Sequence, residues 1–144
     1  MKLFKLAGLV CITVLIAACQ KQATTAELEN NVSTTIQQTE YPENYQSVYR
    51  KVSAMAKRCF DSSLTPYSDR SIDAELYSDL GFGEVSYRTA DISGNNYHWK
   101  AKIEKLSENR TKLTLYAGKA ATETFIKQVN GWANGSQSCG YTEL

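Results

Sequence analysis

The chain has 144 residues, with 16 basic and 15 acidic side chains and a net charge of +1. This length suits a single domain. The balanced charge argues against nucleic-acid binding, for which a strong basic excess is typical. A hydrophobic content of 42% argues against a disordered chain. With a single histidine, the sequence excludes the catalytic and metal sites that need several histidines.

Residues 1–18 have the features of a secretory signal. Lys2 and Lys5 give a positive start, and the uncharged run from Leu6 to Ala18 follows. That run is shorter than the roughly 20 residues of a membrane-spanning helix and matches the apolar part of a signal peptide. It ends in Ile16-Ala17-Ala18-Cys19, which resembles the lipobox of bacterial lipoproteins.

The lipobox resemblance implies cleavage before Cys19 and acylation of that residue. Several acyl chains give stable anchoring in a membrane. An Asp after the cysteine would favour retention at the inner membrane, whereas this chain has Gln20. The resemblance therefore implies the periplasmic side of the outer membrane. Loss of Lys2 and Lys5 would leave a net charge of −1.

Two of the four cysteines remain for pairing. Cys11 lies in the signal and Cys19 takes the lipid, which leaves Cys59 and Cys139. The periplasm is oxidising, so a disulfide is the expected state of this pair. A metal-binding pair is the alternative, but the sequence has no C-x-x-C, and the lone His98 would not complete a tetrahedral site. We predict a structural disulfide and no metal or other cofactor.

Residues 19–40 are predicted to form the lipidated cysteine and a flexible tether. The segment is rich in Gln, Thr, Asn, Ser and Glu and contains no aromatic residue before Tyr41. Leu28, Val32 and Ile36 are spaced four residues apart, so a short helix is the alternative. Isolated helices of this length are marginal in water.

Residues 41–144 are predicted to form a single α+β domain. An apolar stripe predicts a helix over 42–59, and a loop is expected over 61–70. Apolar and polar residues alternate over 72–76, 85–89, 97–103 and 113–117, which predicts a three- or four-stranded antiparallel meander. A second amphipathic helix is predicted over 122–134. Helix, strands and helix in this order predict a two-layer sandwich with both helices on one sheet face.

Three sequence blocks of this domain also resemble a group of small proteobacterial lipoproteins. The blocks are Asn44-Tyr45-Gln46-Ser47-Val48-Tyr49-Arg50, Gly81-Phe82-Gly83-Glu84-Val85 and Trp132-Ala133-Asn134-Gly135. That group has no assigned activity, so the resemblance supports location and fold and implies no catalytic residue.

No catalytic set can be assembled from the sequence. A general base such as His98 needs a nucleophile, and there is no G-x-S-x-G motif. Gly81-Phe82-Gly83 lacks the spacing and the lysine of a phosphate-binding loop. We therefore predict a protein that is not an enzyme.

The alternating strands predict an open polar sheet face that could bind a partner. Its basic and aromatic groups suit an anionic envelope polymer or an envelope protein. The alternative for this face is solvated side chains in weak cross-strand ion pairs. A second functional hypothesis is a carrier for a small apolar ligand, although the residues expected on the buried face are bulky: Tyr87, Tyr97, Trp99, Phe125 and Trp132. The predicted binding residues are Arg88, His98, Lys100, Lys102 and Lys112.

Overall fold

A computed structural model describes residues 21–65, 68–119 and 122–140. The predicted signal (residues 1–18) and Cys19 lie outside these residues. A short 3₁₀ turn, Ser78–Leu80, separates the third and fourth strands. The remaining elements, in chain order, are α1 (Thr25–Asn30), β1 (Thr35–Tyr41), α2 (Tyr45–Phe60), β2 (Ser62–Thr65), β3 (Ser68–Tyr77), β4 (Phe82–Asp91), β5 (Gly94–Ser107), β6 (Arg110–Ala117) and α3 (Thr122–Ala133).

The strands form one open antiparallel sheet in the order β1-β6-β5-β4-β3-β2. The predicted α+β class is therefore confirmed. The sheet has six strands rather than three or four. The two additional strands, β1 and β2, lie at its edges, and they fall in segments that the sequence predicted to be tether and loop.

The prediction of a flexible tether up to residue 40 is wrong for residues 21–40. Thr24 caps α1 in a reciprocal capping box with Glu27, which satisfies backbone N–H groups at the helix start. Leu28 is fully buried. β1 then pairs with β6 over its whole length. The folded domain therefore includes residues 21–40, because the edge of β6 offers backbone partners that a polar strand can use.

One face of the sheet carries the hydrophobic core. Asn44 caps α2, and the buried stripe of this helix includes Val48, Val52 and Met55. α2 contacts β3, β4, β5, β6 and α3, and α3 also contacts β6 and β1. None of the helices in the described ranges has the length and apolar character that crossing a membrane requires.

The predicted disulfide between Cys59 and Cys139 is confirmed. Their Cα atoms are 5.4 Å apart and their sulfur atoms are bonded. Cys59 lies in the last turn of α2, and Cys139 follows α3 by a few residues. The Trp132 indole donates a hydrogen bond of 2.8 Å to the Ser138 carbonyl. The disulfide therefore ties the segment after α3 to the end of α2.

Candidate functional site

The second face of the sheet is polar, as the alternation predicts, and we call it the polar face. Cross-strand partners share a face, so Asp73, Ser86 and Lys100 lie in one row, and Glu75, Glu84 and Lys102 lie in the next. These positions alternate with core residues such as Val85 and Ala101. The polar face is the surface on which the predicted binding residues were expected.

Part of the polar face is covered by α1. This helix contacts β5 and β6, and its Leu28 is fully buried there, outside the main core cluster. Thr114 of β6 is buried as well, with 3% of its surface exposed. The sequence prediction of a fully open face is therefore wrong over β5 and β6, because the residues assigned to the tether fold back onto it.

Lys100 lies buried in the middle of this arrangement. Its ammonium group contacts the Glu29 carboxylate at 2.6 Å and the Glu84 carboxylate at 2.9 Å. Only 7% of its side chain is exposed. Burial by itself would lower the pKa of Lys100, but the hydrogen bonds to both carboxylates outweigh it, so its pKa is raised above the ordinary value. The predicted role of Lys100 as an exposed contact for an anion is wrong, since it joins α1 to the sheet.

A β-bulge moves His98 away from the polar face. The β4–β5 register shifts between Tyr87 and Arg88, so that Tyr87 pairs with Trp99 while Arg88 pairs with Tyr97, and the register gives His98 no opposite residue on β4. The His98 ring stacks on Tyr87, a core residue, with 5.0 Å between ring centroids. The prediction that His98 lies on the polar face is wrong because strict alternation fails at the bulge.

The same bulge places Tyr97 on the polar face instead of in the core. Its hydroxyl donates a hydrogen bond of 3.3 Å to the Asp73 carboxylate. Burial is the main cause that raises the pKa of Tyr97, and the Asp73 charge adds to it. The prediction that Tyr97 contributes to the core is therefore wrong.

The other aromatic residues expected on the buried face do lie there. Tyr87, Trp99 and Trp132 are buried as predicted, and Phe125 packs against them from a half-buried position.

His98 should make the stability of the domain depend on pH, and the effect can be tested because His98 is the only histidine in the chain. Burial lowers its pKa, and the nearby positive charge of Arg70 lowers it further. Below about pH 6.5 the unfolded chain binds a proton that the folded chain does not, so stability falls as the pH drops from that value toward the lowered folded pKa. Urea unfolding between about pH 7.5 and 5.5 should show this fall.

A His98→Gln variant is the control for this effect. Its free energy of unfolding should change less with pH over the same range, because no titrating imidazole remains. An equal decline in both proteins would show that other groups control the stability there.

The three other predicted cations lie on the polar face, and each is paired with a carboxylate. Arg88 contacts Asp73 at 3.1 Å, and both Lys102 and Lys112 contact Glu104, at 3.1 and 3.0 Å. Burial would raise the pKa of Glu104, but its hydrogen bonds to the two lysines outweigh burial and lower it. Together with Lys100, which contacts Glu29 and Glu84, the four cations that suggested an anion-binding surface contact four carboxylates, so they leave no excess positive charge among these groups.

Beyond α1, on the β3 side of the polar face, lies a surface that we call the tyrosine strip. Tyr77 contacts the Phe82 ring at 4.7 Å between centroids, and its hydroxyl donates a hydrogen bond to Glu75. That hydrogen bond is the main cause that raises the pKa of Tyr77. Tyr77 is 36% exposed. The strip consists of Asp73, Glu75, Tyr77, Phe82 and Tyr97.

The space between the sheet and α2 is filled by aromatic rings. Phe60 packs among the rings of Tyr87, Trp99, Phe125 and Trp132, with centroids 4.5 to 6.3 Å away. Two surface grooves, of about 380 and 330 Å³, lie beside α1 and α3 and not in this layer. Over the described ranges, no group of three or more His, Cys, Asp or Glu side chains is placed to hold a metal ion.

No family model and no curated protein matches this chain. Among solved structures, a hypothetical protein from Helicobacter pylori is similar over 82% of this chain and 92% of its own, with 12% identity and a TM-score of 0.44. A conserved protein from Geobacillus kaustophilus aligns over 75% and 90%, with 12% identity and a TM-score of 0.35. A protein from Rhizobium loti aligns over 71% and 90%, with 17% identity and a TM-score of 0.33. Similarities this distant carry no argument about function.

Proposed function

We propose that the chain is a lipid-anchored protein of the outer membrane, facing the periplasm, whose domain binds an envelope protein and catalyses no reaction. The binding surface is the tyrosine strip. The observation that carries this proposal is a group of aromatic rings on the polar face, in which Tyr77 is exposed and Phe82 and Tyr97 are half-buried, beside cations that are paired with carboxylates.

Two features support the proposed location. The segment Ile16-Ala17-Ala18-Cys19 resembles a lipobox. The disulfide between Cys59 and Cys139 suits an oxidising compartment such as the periplasm. We further infer that the domain is a two-layer sandwich in which α2 and α3 cover one sheet face, which leaves the tyrosine strip for a partner.

The charges favour a protein over an anionic polymer as the partner. An anionic polymer would have to compete with Asp73 for Arg88, and with Glu104 for Lys102 and Lys112. A protein partner can keep these ion pairs at the rim and bury the neighbouring rings. Tyrosine is enriched at the centres of protein interfaces, where it contributes large buried area with few rotatable bonds.

The anchor is tested with Cys19→Ser in the full-length protein expressed in a Gram-negative host. The mature wild type should begin at Cys19 and carry acyl chains by mass spectrometry, and it should sediment with outer membranes. Because the acceptor thiol is absent, the variant should remain unprocessed or become soluble. A Cys19→Ser protein that is processed normally and stays in the membrane would contradict the proposed anchor.

Binding is tested by crosslinking in intact envelopes. The double variant Tyr77→Ala/Tyr97→Ala should lose most of the crosslinked partner that the wild type yields, while its thermal midpoint changes little. Ile36→Ala is the matched control, because Ile36 is 54% exposed on the same sheet face but lies on β1, four strands from β3. Equal crosslinking by the double variant and the wild type, or equal loss with Ile36→Ala, would count against the tyrosine strip.

A further inference from the structure

The segment before α1 is fixed to the turn between β4 and β5. Lys21 donates hydrogen bonds to Ser93 at 2.6 Å and to Asp91 at 3.3 Å. The Gln22 carbonyl accepts from the Tyr97 N–H at 2.9 Å, and the Gln22 N–H donates to the Asn96 side chain at 3.2 Å. The chain that would lead to a membrane anchor is thus bound to one end of the sheet.

The lengths of the strands explain why this segment binds there. β5 begins at Gly94, but β6 ends at Ala117, opposite Trp99. The backbone of β5 before Trp99 therefore extends beyond β6 and needs other hydrogen-bond partners. Gln22 supplies one of them, and the burial of Leu28 together with the contact between Glu29 and Lys100 holds the next residues on the sheet.

This attachment determines which end of the domain is near the proposed lipid. Cys19 precedes Lys21 by two residues, so their Cα atoms are at most about 8 Å apart. The turn held by Lys21 carries Ile92, whose side chain is 93% exposed. An exposed isoleucine beside an acylated residue is suited to insert among lipid headgroups and acyl chains, where its apolar surface leaves water.

We propose that residues 21–30 act as a clamp that presents the β4–β5 turn to the membrane, so that Ile92 contacts the lipid surface. This inference rests on the proposed acylation of Cys19. A free tether would let the domain rotate in any direction, whereas the clamp fixes its orientation. The 3₁₀ turn before β4 then points away from the bilayer, because β4 spans ten residues between it and the β4–β5 turn.

The test places an environment-sensitive fluorophore on the mature, acylated protein in vesicles of phosphatidylethanolamine and phosphatidylglycerol that contain nitroxide-labelled lipids. The fluorophore is attached at Ile92→Cys or, as the matched control, at Leu80→Cys. Leu80 is also apolar and exposed, at 70%, but lies at the other end of β4. The native cysteines do not react when cleavage has removed Cys11, Cys19 is acylated and Cys59 is bonded to Cys139.

Lipid quenching should be several-fold stronger at position 92 than at position 80. Releasing the clamp with Lys21→Glu/Leu28→Asp should reduce quenching at position 92 to the level at position 80, while the protein still floats with the vesicles. Lys21→Glu alone, which keeps Leu28 buried, should give a partial reduction if the double variant does not fold.

The outcomes separate this inference from the proposed anchor. Failure of acylation appears as loss of flotation and as labelling of the protein that lacks an added cysteine. The clamp is overturned if a floating protein shows equal quenching at both positions, or if quenching at position 92 survives both clamp variants. A spectral change at position 92 without lipid quenching would indicate contact with another protein molecule, and it would also overturn the contact with lipid.

Discussion

Replacing Cys59 and Cys139 together with alanine should lower the free energy of unfolding by about 4–5 kcal/mol. The bond joins residues that are 80 positions apart, so its loss gives the unfolded chain much more conformational freedom. Urea unfolding followed by circular dichroism provides the measurement. The effect is large relative to the roughly 5–15 kcal/mol that stabilises a typical domain.

Reduction of the wild-type protein provides the control for this prediction. Wild type treated with a thiol reductant should unfold at nearly the same urea concentration as the double variant, and reductant should not change the variant further. If the double variant unfolded at the same urea concentration as the oxidised wild type, packing alone would hold the end of α2 against the segment after α3.

Phe60→Ala should destabilise the domain by about 3–5 kcal/mol, the usual cost of removing a buried aromatic ring. Phe60 is 1% exposed and contacts four other rings, including Tyr87 at 4.5 Å between centroids. These rings belong to β4, β5 and α3, so the cavity would open where α2 meets both the sheet and α3.

Two further variants provide comparisons for the loss of stability in Phe60→Ala. Phe60→Leu should cost less than Phe60→Ala, because leucine fills part of the cavity. Leu80→Ala should change stability by no more than about 0.5 kcal/mol, since Leu80 is 70% exposed. If Phe60→Ala had an effect as small as Leu80→Ala, the cluster of rings would not be a main source of stability.

Much of the fold could be predicted because its elements have regular patterns. The stripe that includes Val48, Val52 and Met55 repeats every three or four residues, and α2 buries these side chains. Alternation at Leu113, Leu115 and Ala117 predicted β6, and these residues are buried. Such patterns were readable because each of these elements buries its own apolar side.

The segments that were missed form for reasons that local patterns do not contain. β1 buries only Tyr41, and its strand conformation depends on pairing with β6. α1 has six residues and buries Leu28 alone, so it depends on the sheet beneath it. The spacing of Leu28, Val32 and Ile36 suggested a short helix as the alternative to a tether, but α1 includes only Leu28 of the three. The capping box of Thr24 and Glu27 was a second local sign of α1, and it lay within a segment whose composition is typical of a tether.

The candidate site was the least predictable part of the molecule. The sequence placed Arg88, Lys102 and Lys112 correctly on the polar face, because alternation holds along those strands. It misplaced His98 and Tyr97, because one bulge changes which face each residue occupies.

The sequence by itself determined the α+β class, the disulfide between Cys59 and Cys139, and most of the buried residues, since these follow from periodicity and from a count of cysteines. Only the tertiary structure decided that residues 21–30 lie on the sheet, that Lys100 is buried between Glu29 and Glu84, and that the cations of the polar face are neutralised. The physical reason is that backbone pairing at a strand edge and ion pairs between distant residues depend on which segments come into contact in the folded chain. Local sequence patterns do not predict those long-range contacts.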